Sequence, residues 1–157
     1  MMPAAPNPEQ FWFLDTLVTV HVSHTQGGDT ISLLEHQAPI GHSPPLHIHR
    51  SEDELFHVLS GDFRFHIGGR EEHLTTGAFL LTPKGLPHTF RIQSSAGGRW
   101  LTITTHTDFE RFVRAAGRPA PRGELPPSAG PPTPEGAAHL AALAGRYGIE
   151  LVGPPLQ

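Results

Sequence analysis

The chain has 157 residues, a formal net charge of −4 and no cysteine. That length fits one domain, the missing cysteines exclude disulfides and thiolate metal sites, and without a basic stripe nucleic acid is not an expected partner. The start, MMPAAPNPEQFWF, lacks the basic region and long apolar core of a signal peptide, and no stretch approaches the ~18 apolar residues of a membrane span, so a soluble, cytoplasmic protein is expected.

Residues 1–13 read as an N-terminal arm with three prolines. Its aromatic cluster, Phe11, Trp12 and Phe13, is suited to crossing to a partner in an expected homodimer. Residues 14–106 read as short strands. LDTLVTVHVS and TISLLEHQ flank a Gly-Gly turn, and Ala38 to Leu46, with three prolines, is a loop. ELFHVLSGDFRFHIGG is a strand, a turn and a strand; EEHLTT, AFLLTP, HTFRIQ and RWLTITT follow, punctuated by glycine and proline. Strands this short and regular predict an all-β sandwich or barrel. Residues 107–157 change character. Thr107-Asp108-Phe109-Glu110 has the form of a capping box, and Phe109, Phe112, Val113 and Ala116 recur at helical spacing. A Pro/Gly-rich connector leads to a second helix from Thr133-Pro134, with Ala137, Leu140, Ala141, Ala144 and Tyr147 on one face. The apolar ending IELVGPPLQ is expected to dock.

Twelve histidines outnumber the eleven Lys plus Arg. His47 and His49, separated by one residue on an extended segment, point to the same face. Glu54 follows the polar turn RSED, sharing a face with Phe56 and Val58; His88 lies on a later strand with Phe90 and Ile92. Three imidazoles and a carboxylate suit one divalent transition metal, Ni, Mn, Fe, Co, Cu or Zn, with positions left open for a small-molecule substrate. Surface histidines around a loop are the competing reading, because His-x-His alone is a weak signal.

The full spacing decides between them. Gly41, five residues, His47-x-His49, four residues, Glu54, six residues, Gly61 resembles the first cupin motif, and Gly77, five residues, Pro83-x-Gly85, two residues, His88 resembles the second. Ile92 stands where the second motif usually has Asn. The resemblance implies an antiparallel jelly-roll β-barrel with a short C-terminal helical tail and one metal on His47, His49, Glu54 and His88. PPLHIHRSEDELFHVLSGDFRFHIGG and FERFVRAAG…ALAGRYGIELVGPP are similar to the quercetin-dioxygenase-like single-domain cupins. That likeness implies a metal-dependent dioxygenase acting on a flavonol-like enol or phenol, with Glu54 as catalytic base. A metal-dependent isomerase or cyclase, and a non-catalytic metal-bearing binding module, use the same scaffold.

Phe56, Phe65, Phe90 and Ile92 are candidate walls of a substrate pocket, with plain core packing as the alternative. His36 faces either the interior or solvent, and His42 sits in a loop at the expected mouth, where exposure is the simpler reading. His57 and His66 have the parity of outward residues.

Overall fold

In a computed structural model, residues 7–121 and 123–157 are described. The strands are β1 (Gln10–Phe13), β2 (Thr16–Val22), β3 (Ser32–Ala38), β4 (Leu46–His49), β5 (Glu54–Ser60), β6 (Phe63–Ile67), β7 (Arg70–Leu74), β8 (Phe79–Thr82), β9 (His88–Ile92) and β10 (Gly98–Thr104). Helix α1 (Asp108–Ala116), the two-residue β11 (Arg118–Pro119), helix α2 (Pro134–Arg146) and β12 (Ile149–Gly153) complete the order. They form two antiparallel sheets, β11-β1-β2-β3-β10-β5-β8 and β12-β4-β9-β6-β7. The sheets face each other as a jelly roll without closing into one hydrogen-bonded barrel.

Alternation sets the interior. Glu54, Phe56 and Val58 of β5 and Phe63, Phe65 and Ile67 of β6 are buried, while the residues between them lie outward. His57 is on the outer surface, stacked on Phe79, and His66 lies outside with Glu71 at 2.8 Å. Gly61 turns β5 into β6 at φ +105°, where a Cβ would stand 2.8 Å from the Gly97 carbonyl oxygen. Gly85 has φ +84°, and its N–H donates to the His49 carbonyl at 2.8 Å, tying the turn before His88 to strand β4.

The N-terminal segment differs from the expected arm. Gln10–Phe13 pairs with β2 of its own chain, Phe11 opposite Val18 and Trp12 opposite Leu17, and Phe13 is buried. The N-terminal run of prolines ends at Pro8, so each of Glu9, Gln10, Phe11, Trp12 and Phe13 keeps an amide N–H that can join a sheet. Residues 1–6 of the expected arm lie outside the described residues. In the apolar C-terminal segment β12 covers the edge of β4, with Ile149 opposite His49 and Leu151 opposite His47.

The capping box does not form. Thr107 precedes α1, but its side chain makes no cap hydrogen bond. Glu110 turns inward instead, accepting from Ser32 Oγ, Ser23 Oγ (2.7 Å) and the His24 amide (2.8 Å), with Arg114 at 3.0 Å. With His24 Nδ1 at 2.9 Å, five donors surround this buried carboxylate, and they outweigh one contact back to the helix start. Helix α2 starts after Thr133 as expected, and the Thr133 side chain accepts from the Gly136 amide. The packed stripe is Leu140, Leu143, Ala144 and Tyr147, whereas Ala137 and Ala141 are exposed.

Glu110 makes a pH-dependent contribution to stability. Burial raises its affinity for a proton, but the bonds from Ser32, His24 and Ser23 prevail and hold its pKa at about 2 against the ordinary 4.5. A depressed carboxylate stabilises the fold above pH 4.5, and that stabilisation is lost as pH falls from 4.5 toward 2. Glu110→Gln is expected to cost about 3 kcal/mol at neutral pH. In thermal melts the gap between parent and variant should narrow steadily below pH 4.5; a gap independent of pH would contradict this origin.

Candidate metal centre

The two sheets contribute unequally to the site. His47 and His49 project from β4 to one side, as extended backbone requires. His88 of the neighbouring β9 is the register partner of His47. Glu54, the first residue of β5, enters from the opposite sheet. One donor atom from each of the four residues lies within 4.8 Å of the others. His49, Glu54 and His88 are buried and His47 is half-buried.

The far side of each ring fixes what the near side offers. His47 Nδ1 donates to the Pro45 carbonyl at 2.7 Å, His88 Nδ1 to the Leu86 carbonyl at 3.1 Å and His49 Nδ1 to Glu52 Oε1 at 3.2 Å. These oxygens only accept, so each Nδ1 carries the hydrogen and each Nε2 faces the cluster. Ligating histidines are oriented in this way, by an outer oxygen on the other ring nitrogen. His49 Nε2 is buried without a hydrogen-bond partner, 3.2 Å from Glu54 Oε2, and the same carboxylate oxygen lies 3.1 Å from His88 Nε2. Three imidazoles and one carboxylate around an orphaned nitrogen fit a divalent ion of borderline softness.

The electrostatics agree with that donor set. Burial, reinforced by His88 and His49, pushes His47 down to about 3. Burial also acts against charge on His49, but Glu54 and Glu52 outweigh it and hold that ring up at about 10. Glu54 stays well below the ordinary carboxylate range, because His49 and His88 overcome its burial. The pocket therefore demands positive charge beside Glu54, which a proton on His49 or a divalent ion supplies.

Glu52 was not legible as a site residue. It is buried, accepts from His49 Nδ1 and also accepts from the Phe109 amide at 2.7 Å, so it caps α1 in place of Thr107. One carboxylate thus ties the orientation of the His49 ring to the first turn of α1.

A cavity opens beside the cluster, walled by aromatic rings of Phe56, Phe90, Trp100 and Phe109. Of the four expected pocket residues, Phe56 and Phe90 line it. Phe65 and Ile92 do not: they pack behind, in the core with Phe63 and Trp100. Ile92, in the place of the usual Asn, is thus a core residue. His36 faces inward, donor or acceptor to Thr102 Oγ1 at 2.9 Å and stacked on Trp100. His42 is buried at the cavity wall, where solvent exposure had been the simpler expectation.

The family model described as Cupin domain matches residues 33–104, from β3 to the end of β10, and so spans all four cluster residues. Over those residues the chain is similar to a cupin domain. The chain is 28% identical over 121 residues to the quercetin 2,3-dioxygenase of Bacillus subtilis (strain 168), an alignment covering 77% of the chain. The chain spans only 36% of that relative's length. Among solved structures, the polyketide cyclase RemF from Streptomyces resistomycificus superposes with a TM-score of 0.55 at 21% identity, covering 81% of this chain and 83% of RemF. A predicted oxalate decarboxylase from Thermotoga maritima gives 0.53 at 20% identity, covering 64% of this chain and 92% of its own. At such identities the likeness carries the fold alone. No helix among the described residues is long and apolar enough to cross a membrane.

Proposed function

We propose that this chain is a metal-dependent dioxygenase acting on a small flavonol-like enol or phenol, with its metal on His47, His49, Glu54 and His88. The observation that carries the reading is the convergence of one ring nitrogen each from His47, His49 and His88 with a carboxylate oxygen of Glu54, beside an aromatic cavity. The likeness to the Bacillus quercetin 2,3-dioxygenase supports the substrate class. A bound divalent ion supplies Lewis acidity and, in redox-active forms, access to dioxygen.

The chain's own residues do the rest. Glu54, held as a carboxylate between His49 and His88, accepts the proton of the substrate hydroxyl at Oε2. Phe56, Phe90 and Trp100 pack against a planar substrate and exclude water, which strengthens every charge interaction at the cluster. Isomerisation or cyclisation needs the same donors but no oxygen.

Oxygen uptake separates these readings. Protein loaded in turn with Mn, Fe, Co, Ni, Cu and Zn is expected, in at least one form, to consume dioxygen in step with the loss of a flavonol. Substrate loss without oxygen uptake would assign an isomerase or cyclase. Binding without turnover in every metal form would assign a binding module.

A further inference from the structure

A second polar group faces the same cavity. His42 is buried, and its ring lies 5.8 Å from Phe90 and 6.0 Å from Trp100, stacked on the latter. Both sides of its backbone are held: its N–H donates to the Pro39 carbonyl at 3.2 Å, and its carbonyl accepts from the Ile92 amide at 3.0 Å. Its Nδ1 meets Asp15 Oδ1 at 2.5 Å. Its Nε2 makes no hydrogen bond to any described residue.

Asp15 reaches this ring from the two-residue turn between β1 and β2. The turn is unusual in carrying Leu14 at φ +55°, a conformation that glycine tolerates and leucine resists. Thr16 Oγ1 closes it by donating to the Phe13 carbonyl at 2.6 Å. The Leu14 side chain lines the cavity, while the half-exposed Asp15 carboxylate accepts the His42 Nδ1 hydrogen. His42 pulls Asp15 below the ordinary carboxylate range against the effect of partial burial.

A carboxylate on Nδ1 fixes the tautomer, so the neutral ring presents Nε2 as an acceptor. Around it stand Phe90, which has no donor, and Trp100, whose indole N–H makes no hydrogen bond to it among the described residues. An acceptor in an apolar wall discriminates strongly, because a ligand that covers it without donating a hydrogen leaves it desolvated and unpaired. No ring contact joins His42 to the three imidazoles of the metal cluster among the described residues. Besides Glu54 and the cluster histidines, the cavity wall carries His36 and Thr102, bonded to each other, Thr16, bonded to the Phe13 carbonyl, and His42 with its Nε2 unpaired among the described residues.

We infer that His42, oriented by Asp15, is a second substrate-binding group that selects ligands bearing a hydroxyl apart from the one that reaches Glu54. The inference rests on the reading of the cavity as a substrate site and narrows its ligands to polyhydroxylated ones. Donation by that hydroxyl to Nε2 is a binding contact, with Asp15 as its positioning residue.

The test is calorimetric binding to the zinc-loaded protein, which suppresses redox turnover, with two probes: 3-hydroxyflavone, and a flavonol with further hydroxyls on the pendant phenyl ring. The parent is expected to prefer the second by about 10- to 100-fold, the range of a hydrogen bond to a charge-polarised group. His42→Asn keeps an amide near the Nδ1 position for Asp15 but removes Nε2. It should bring the two affinities to near parity by weakening only the hydroxylated probe. Asp15→Asn, on an exposed turn that can accept the change, should lower the preference partway. A preference that persists in His42→Asn, an equal loss of both probes, or no binding of either probe to the parent overturns the inference. Oxygen uptake measured in parallel with active metal forms keeps the two readings apart. A His42-dependent preference without uptake contradicts the dioxygenase alone, and uptake with a His42-independent preference contradicts this inference alone.

Discussion

Glu54→Gln, fully loaded with metal, is expected to bind substrate as the parent does and turn it over more slowly by ~10²–10⁴-fold. The substitution keeps the size of the side chain and one oxygen donor but removes the charge. In the parent that charge sits between His49 Nε2 at 3.2 Å and His88 Nε2 at 3.1 Å, which keep it available as a proton acceptor. The same change also weakens the metal site, so metal content must be measured on the samples used for kinetics. If the loss of rate tracks the loss of metal and the replete variant is as fast as the parent, Glu54 is a ligand and not a base.

Glu52→Ala should damage metal binding and folding together. Its carboxylate is 1% exposed and serves two donors, His49 Nδ1 and the Phe109 amide. Alanine leaves both without an acceptor and His49 free to turn. Metal affinity is expected to fall about 10–100-fold, the usual cost of losing an outer partner of a ligating histidine. Stability should fall by about 3–5 kcal/mol, as when one member of a buried ion pair is deleted. Glu52→Gln keeps an acceptor oxygen and should recover part of both. Competition with a chromophoric chelator reads the first quantity and urea unfolding the second. Unchanged metal affinity in Glu52→Ala would show that His49 is oriented by its packing alone.

The clustering of His47, His49, Glu54 and His88 is readable in the sequence because its determinants are local. His47 and His49 share a face through alternation, and Gly61, Pro83 and Gly85 encode the turns that aim Glu54 and His88. Alternation tells which side of a sheet a residue takes, but not its depth. Phe65 and Phe90 are opposite one another in register, yet Phe90 reaches the cavity and Phe65 does not. Contacts made across long stretches of chain left no local signal. Glu52 gains its role from Phe109, 57 positions later, and His42 from Asp15, 27 positions earlier. The apparent capping box misled for the same reason: Glu110 is claimed by Ser23 and Ser32, 87 and 78 positions away, and no pattern around Thr107 announces them.

The most direct measurement is the anomalous diffraction of crystals loaded with a single divalent metal. One ion per chain is expected, about 2.0–2.2 Å from Nε2 of His47, His49 and His88, with a Glu54 oxygen at similar range. An ion held through Nδ1, an ion bound elsewhere in the chain, or fully metal-exposed crystals with nothing between these four side chains would contradict the account.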